Sequence, residues 1–192
     1  MGLLWGINAD PCARRTNPSV MRGLPHGIRP WLVPASVSAI LTVLVAVAAN
    51  PILVSGTSME PLLDPGDRLL VSRFVTLARG DIVVLDVPHI SGYLVKRIVA
   101  LPGERIRIID ATVYVNGRAL YEPYVHGPWT SDIGYNGGLE VTIAPDHYFL
   151  LGDNRDVSLD SRSLGPQRRT AIIGLAWARA WPRPVPLAHY PL

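Results

Sequence analysis

The sequence predicts a mostly β, antiparallel domain behind one N-terminal membrane-spanning helix. Three observations carry this prediction: short apolar runs rich in β-branched residues after residue 51, Pro-Gly and Asn-Gly pairs that divide these runs, and one uncharged apolar run at residues 31–49. With 192 residues, of which 48% are hydrophobic and 17% charged, the chain has room for one globular domain with appendages.

The apolar run at 31–49 has the length of a membrane span. As a helix rising ~1.5 Å per residue it covers about 28 Å, close to the ~30 Å hydrocarbon core of a bilayer. Four arginines precede it, against the single acidic residue Asp10: Arg14, Arg15, Arg22 and Arg29. Because basic flanks stay in the cytoplasm, we expect a cytoplasmic tail at 1–30, a transmembrane helix at 31–50 and an extracytoplasmic domain at 51–192. This is a single-pass, type II arrangement in the cell membrane.

Two other interpretations of this run stay open. The order of a basic segment and an apolar one also fits a cleaved secretory signal, and residues 46–48 read Ala-Val-Ala, like an A-x-A cleavage site. A basic leader of thirty residues is long for such a signal. A buried core helix or a re-entrant segment is the other alternative.

The strands follow one another from residue 67 onward. The apolar runs expected to form strands lie at 67–75, 81–87, 93–101, 105–110, 112–120 and 147–152. The pair Asn116-Gly117 is a strong two-residue hairpin signal inside the fifth run. Residues 121–138 show no periodicity, which predicts a long connection or a small subdomain. The apolar part of the C-terminal segment, about eleven residues long, suits a closing strand better than a second span, because Arg179 and four prolines interrupt the segment.

Composition excludes several classes of site. A single cysteine, Cys12, excludes an internal disulfide, and no Cys/His cluster has the spacing of metal ligands, so we expect no structural metal. A net charge of +3 with dispersed arginines does not indicate nucleic-acid binding. The five histidines are scattered and have no clear carboxylate partner: His26, His89, His126, His147 and His189.

Ser58 and Lys96 are together candidates for a nucleophile and its base. Ser58 lies in a turn bounded by Gly and Pro, where a serine is usually only a turn residue. Lys96 is the only lysine of the chain, in the middle of a predicted strand whose alternation puts it on one face with Leu94 and Ile98. Burial disfavours the ammonium form, so a buried lysine can become a base for serine, whereas arginine stays charged. A lysine that covers apolar surface with its stem and keeps its head in water is the alternative.

A third segment, residues 151–165, is dense in polar side chains and by itself is typical of a solvated loop. Together, the segments SGTSMEPLL, GDIVVLD, YLVKRIVALPGE and LGDNRDVSLDSRSLG, in this order, closely resemble the bacterial type I signal peptidases, the membrane-bound Ser-Lys proteases of protein export. The similarity runs from about residue 54 to residue 178.

The resemblance implies a role for each matching residue. Ser58 takes the position of the nucleophile and Lys96 that of the general base, and Ser158 matches the hydroxyl that orients the lysine amine. The remaining support residues are Asp160 and Arg162, which match an ion pair, and Gly152, Asp153 and Asn154, which match the opening of that loop. The pocket for small substrate side chains would be lined by Val54, Met59, Leu63, Leu94 and Val95.

The family resemblance also implies which partners the protein has. These are preproteins with an N-terminal signal peptide, cut after small A-x-A residues at the membrane surface, and the lipid bilayer itself, with no cofactor, metal or nucleic acid. Geometry supports this independently, because the nine residues from Ala49 to Ser58 span at most ~30 Å and keep the serine near the outer membrane surface.

The chain departs from the family pattern in places. Gly56 stands where Gram-negative members have a serine whose hydroxyl contributes to the oxyanion hole, and Leu62 stands where many members have threonine. The short stretch between Lys96 and Gly152 implies that the extra domain of some relatives is reduced to the region near 121–138. Two alternatives remain: a specialised Ser-Lys maturation peptidase with few substrates, and a membrane-anchored β domain that binds exported chains without cutting them.

Overall fold

The computed structural model of the chain describes residues 38, 50–125, 129 and 135–187. The chain divides into two compact units, Met1–Thr42 and Val43–Leu192. The predicted transmembrane helix at 31–50 lies outside the described residues except for positions 38 and 50. Within the described ranges, no helix combines the length and the apolar character needed to cross a bilayer.

The second unit is built from short strands, and all pairings among its described strands are antiparallel. In chain order the strands are β1 (Asn50–Leu53), β2 (Arg68–Ser72), β3 (Ile82–Asp86), β4 (Tyr93–Ala100), β5 (Arg105–Ile109), β6 (Thr112–Val115), β7 (Arg118–Ala119), β8 (Val141–Thr142), β9 (His147–Leu151), β10 (Gln167–Arg168), β11 (Ile172–Trp181) and β12 (Val185–Pro186). One short helix, α1, spans Ser161–Leu164, and 3-10 turns lie at Tyr135–Gly138 and Arg169–Ala171. The predicted class, mostly β and antiparallel, is confirmed.

The strands form two sheets. The larger sheet has the order β1-β2-β11-β3-β4-β9-β10, with β12 paired to β11, and the smaller has the order β7-β6-β5-β8. The ten-residue strand β11 holds the larger sheet together, because it pairs with β2 on one side and with both β3 and β12 on the other. This strand is the predicted closing strand of the C-terminal segment.

Most strand predictions are confirmed, with differences at the ends. The strand predicted at 67–75 stops at Ser72, and Phe74 beyond it is exposed. The run predicted at 112–120 folds into the hairpin β6–β7, whose turn residues Asn116 and Gly117 both have positive φ, as a two-residue turn of this kind requires. The strands β1, β8, β10 and β12 and helix α1 were not predicted.

The apolar residues of this unit pack in three clusters. The Met59 cluster consists of Val54, Met59, Leu63, Leu69, Val71, Ile82, Val84, Val95 and Ala176. The Ile98 cluster consists of Leu77, Val83, Leu85, Val87, Ile98, Leu150 and Ile172. The small-sheet cluster includes residues of β5 and β6 together with Val99, Ala100 and Phe149. Strand β4 contributes to all three clusters, and every residue from Val95 to Ala100 is buried.

Candidate active site

Strand β4 brings Lys96 to the centre of the larger sheet. Lys96 pairs with Val83 of β3, and Arg97 pairs with Leu151, the last residue of β9. The next residue along the chain after β9 is Gly152, so the polar segment that follows it begins beside Lys96. Lys96 is buried, with a relative exposure of only 2%. The alternation of the strand predicted this burial for the case in which the face that carries Lys96 is the covered face.

Ser58 lies in the connection between β1 and β2. Backbone hydrogen bonds close this connection at its base, from Val54 N–H to Asp67 C=O and from Gly66 N–H to Val54 C=O, both 2.8 Å. Within it, the buried side chains of Met59 and Leu63 anchor the segment in the apolar core. The residue before these anchors, Ser58, stays partly accessible.

The two side chains meet, although 38 positions separate them in the sequence. The Lys96 Nζ lies 2.6 Å from Ser58 Oγ and donates a second hydrogen bond of 2.9 Å to the carbonyl oxygen of Val95. When the amine is neutral, the same short distance lets the Ser58 hydroxyl donate to the Nζ lone pair.

Burial changes the acidity of this amine. Desolvation lowers the pKa of Lys96 from 10.5 to about 8, even though Asp160 and Asp153 act in the opposite direction by favouring the ammonium form. A substantial fraction of the molecules therefore holds a neutral lysine at mildly alkaline pH. This property is unattainable for arginine, whose guanidinium stays protonated.

The segment Gly152–Asn154 lies against the Ser58 backbone. Asn154 donates from its backbone N–H to the Ser58 carbonyl oxygen at 3.0 Å and from its side chain to the Thr57 carbonyl oxygen at 3.2 Å. At Gly152 a side chain has no room, because a Cβ would lie 2.5 Å from the Ser58 carbonyl oxygen and closer still to Ser158 Oγ. The glycine is therefore required by this close approach.

Asp160 and Arg162 form the expected ion pair, with Nε to Oδ1 at 2.9 Å. Asp160 also caps α1 by accepting the Arg162 backbone N–H, and it accepts the Gly152 N–H at 3.0 Å. The Arg162 side chain reaches further, to the carbonyl oxygen of Arg155 at 2.5 Å. The Asp160–Arg162 pair thus holds the backbone of both Gly152 and Arg155.

Ser158 is placed differently from the expectation. Its hydroxyl oxygen is buried beside Gly152, and it makes no hydrogen bond with any residue in the described ranges. The expected bond to Lys96 is absent, and the amine instead contacts Ser58 Oγ and the Val95 carbonyl oxygen.

Three further ionic residues near the site were not predicted, namely Arg97, Arg155 and Glu122, whereas Asp153, the partner of Arg97, was predicted. Arg97, on the opposite face of β4 from Lys96, forms two hydrogen bonds to Asp153, at 2.8 and 2.6 Å, and both side chains are fully buried. Arg155 pairs with Glu122, whose surroundings lack any sequence periodicity. Arg97 and Arg155 had a signal in the sequence, since they lie within the segments YLVKRIVALPGE and 151–165, whereas Glu122 had none.

Four of the five predicted pocket residues lie together. Val54, Met59, Leu63 and Val95 belong to the Met59 cluster, whereas Leu94 packs against the Ile98 cluster. The difference follows from the alternation of β4, because adjacent residues point to opposite faces of a strand.

The backbone beside Ser58 offers a hydrogen-bond donor. The Ser58 backbone N–H has no hydrogen-bond partner among the residues that the structure describes, and Gly56 is exposed with open space around it. No group of three or more His, Cys, Asp or Glu side chains suited to a metal ion occurs in the described part of the chain. Base-assisted acyl transfer needs a nucleophile, a base and a donor for the oxyanion, and a serine hydroxyl, a lysine amine and a backbone N–H are the groups that lie together here.

Comparisons with known proteins identify one family. The family model for "Signal peptidase, peptidase S26" matches residues 28–181. The chain is 36% identical over 148 residues to signal peptidase I of Bacillus licheniformis, covering 69% of this chain and 77% of that protein. It is 35% identical over 159 residues to signal peptidase I V of Bacillus subtilis, covering 76% and 94% respectively.

Among solved structures, a signal peptidase I from Enterococcus faecalis matches at 30% identity with a TM-score of 0.47, covering 53% of this chain and 97% of that one. The family model spans most of the sequence and includes both Ser58 and Lys96. The resemblance predicted from the four sequence segments is thus confirmed: the chain belongs to the signal peptidase family, peptidase S26.

Proposed function

We propose that this chain is a membrane-bound signal peptidase I, a serine endopeptidase that uses a Ser58–Lys96 dyad to remove N-terminal signal peptides from exported preproteins. The observation that carries the proposal is the 2.6 Å contact between Ser58 Oγ and the Nζ of a buried lysine. Membership of the family supports the same conclusion.

In the first half of the reaction Lys96 acts as a base. The neutral amine takes the proton of the Ser58 hydroxyl while Oγ attacks the scissile carbonyl carbon, which gives a tetrahedral oxyanion. The ammonium then gives that proton to the leaving amine, and the peptide C–N bond breaks. An ester between the substrate acyl group and Ser58 remains, and the mature protein departs.

In the second half the same amine activates water. Neutral Lys96 accepts a proton from a water molecule as the water oxygen attacks the ester carbonyl. Collapse of the second tetrahedral intermediate returns the proton to Ser58 Oγ and releases the signal peptide with a free carboxylate. The Ser58 backbone N–H is the donor available for the oxyanion in this scheme.

The proposed specificity rests on the apolar residues next to the nucleophile. Val54, Met59, Leu63 and Val95 pack tightly together, so a pocket floored by them admits small side chains such as alanine. Leu94, which packs elsewhere, is left out of this pocket. Cleavage after A-x-A sites follows from such shallow pockets.

We place the site at the outer surface of the cell membrane. The basic residues before position 31 and the uncharged run at 31–49 support a single-pass, type II topology with the β domain outside. The short distance along the chain from this run to Ser58 keeps the nucleophile close to the bilayer, where a signal peptide presents its cleavage site.

Cleavage of a preprotein tests the proposal. The purified full chain in detergent should remove the signal peptide, and Ser58→Ala and Lys96→Arg should each lower the rate at least about 100-fold. Lys96→Arg is the informative variant, because it keeps a positive charge but removes the ability to act as a base. Wild-type rates in the Lys96→Arg variant would rule out a lysine base. A complete lack of cleavage with retained preprotein binding would point instead to a non-catalytic binding domain.

A further inference from the structure

Three ion pairs, one fully buried and two partly buried, lie around the segment Gly152–Arg155. They are Arg97 with Asp153, Arg155 with Glu122, and Arg162 with Asp160. The carboxylates of Asp153 and Asp160 both lie in the polar segment 151–165, whereas Glu122 lies in the connection that follows β7. The proposed reaction steps do not involve Glu122.

Glu122 joins two of these arginines. Both of its carboxylate oxygens accept from Arg155, at 2.6 and 3.1 Å, and one of them also accepts the Tyr124 hydroxyl at 2.7 Å. The ring of Tyr124 in turn lies under the guanidinium of Arg97, 4.1 Å from the ring centroid. Through Tyr124, Glu122 is thus connected to the strand that carries Lys96.

Through Arg155, Glu122 is connected to the nucleophile. Arg155, whose side chain is fully buried, donates from Nε to the carbonyl oxygen of Gly152 at 3.0 Å. The N–H of the same glycine is held by Asp160. Charged side chains thus hold both backbone groups of Gly152 in the position where Asn154 donates to the Ser58 carbonyl oxygen.

We propose that Glu122 is a positioning residue for the peptidase reaction: it directs Arg155 onto the Gly152 carbonyl oxygen and so keeps the Gly152–Asn154 segment against Ser58. The inference rests on the proposed function. Without the carboxylate, the buried guanidinium of Arg155 loses its ion-pair partner, and a nearby anion is Asp153, which Arg155 already influences electrostatically. Arg155 then competes with Arg97 for Asp153 and leaves Gly152.

The first test compares Glu122→Gln with Glu104→Gln. Glu104 also pairs with an arginine, Arg79, and its carboxylate likewise accepts a further hydrogen bond, in this case from the Leu101 backbone N–H, so it is a matched control for the loss of a partly buried ion pair. We expect Glu122→Gln to lower kcat about tenfold or more with KM within about twofold, since small misplacements of reacting groups are costly. Glu104→Gln should leave kcat unchanged at a comparable loss of thermal stability.

A double variant separates positioning from stability. Glu122→Gln combined with Arg155→Met removes both charges, so no unpaired ion is left buried and thermal stability should recover relative to Glu122→Gln alone. The hydrogen bond to the Gly152 carbonyl oxygen is still missing, so kcat should stay low. Recovery of kcat together with stability would show a merely structural role and overturn the inference, as would a folded Glu122→Gln variant with wild-type kcat.

A readout without catalysis keeps the two proposals distinct. The Asn154 amide hydrogen, which donates to the Ser58 carbonyl, should exchange with solvent faster in Glu122→Gln than in the wild type, and at the wild-type rate in Glu104→Gln. Unchanged exchange in Glu122→Gln would refute the positioning role. If the wild type itself fails to cleave preproteins, the proposed function is wrong, and this exchange measurement still decides the role of Glu122.

Discussion

Lys96 differs from the 17 arginines of the chain in that its side chain can lose a proton under ordinary conditions. The fold buries this amine in strand β4, where desolvation outweighs the attraction of two nearby carboxylates. A neutral amine and a serine hydroxyl at 2.6 Å are the minimum that base-assisted acyl transfer requires. The reactivity of Ser58 therefore depends on how strongly the sheet disfavours the ammonium form.

The same burial carries a stability penalty with a predictable pH dependence. The folded-state pKa of about 8 lies below the ordinary value of 10.5, so below pH 8 the folded state holds a buried ammonium at a cost of about 3 kcal/mol. As the pH rises from about 8 to 10.5, the unfolded chain binds more protons than the folded one, and stability increases. Lys96→Met should be more stable than the wild type at pH 7, and its advantage should shrink over this window. Urea unfolding of both proteins at pH 7 and 10.5 measures this, and a constant difference would contradict it.

The proposed specificity can be tested at a single residue. Val95→Ala enlarges the proposed pocket, so cleavage after residues larger than alanine should increase by about tenfold relative to cleavage after alanine. Leu94→Ala is the matched control, since Leu94 is adjacent in β4 but packs in the Ile98 cluster. Mass spectrometry of products from a set of variant preproteins gives both profiles. Equal profiles for Val95→Ala and the wild type would refute the pocket.

Several structural elements follow from local sequence patterns, and others do not. The hairpin at Asn116-Gly117 and the long strand β11 have clear signals in turn chemistry and apolar length, so both could be predicted. Strands β8, β10 and β12 have two residues each, and α1 has a single turn, which is too short for any periodicity. Likewise Ser58 and Lys96 could be identified from their segments, but the pairing of Glu122 with Arg155 depends on tertiary contacts alone.

The segment after β9 depends on the absence of a side chain at Gly152. Gly152→Ala should force the Gly152–Asn154 segment away from Ser58, with a loss of stability of about 1–3 kcal/mol and of most activity. Gly174→Ala creates a similar collision, with the backbone of Ser72 between β11 and β2, and serves as the control. Preprotein cleavage per folded molecule should fall only in Gly152→Ala. Equal rates in the two variants would mean that the close approach at Gly152 does not matter for the reaction.

At the scale of the whole molecule, the chain combines a β domain with a basic, then apolar, N-terminal region. The antiparallel fold and the family were predictable because four ordered segments specify them together. Charge and hydropathy predict that residues 31–49 span the bilayer. They predict the same for an anchor that stays and for a signal segment that is later removed, so they do not distinguish the two.

Intact mass distinguishes the two outcomes for this region. Mass spectrometry of the protein extracted from membranes should give 20.9 kDa, the value of the uncleaved chain. A product lacking residues 1–48 would instead indicate cleavage after Ala48. If that product disappeared in the Ser58→Ala variant, the protein would be cutting itself.

The central claim is that Lys96 is the neutral base of the reaction, and one measurement tests it most directly. Because the chain has a single lysine, protein labelled with 13C at the lysine Cε gives one such NMR signal, whose chemical shift follows protonation of the amine. We predict a titration midpoint near pH 8, matched by a rise in kcat/KM over the same range. A midpoint near the ordinary value of 10.5, with activity already complete at neutral pH, would contradict the account.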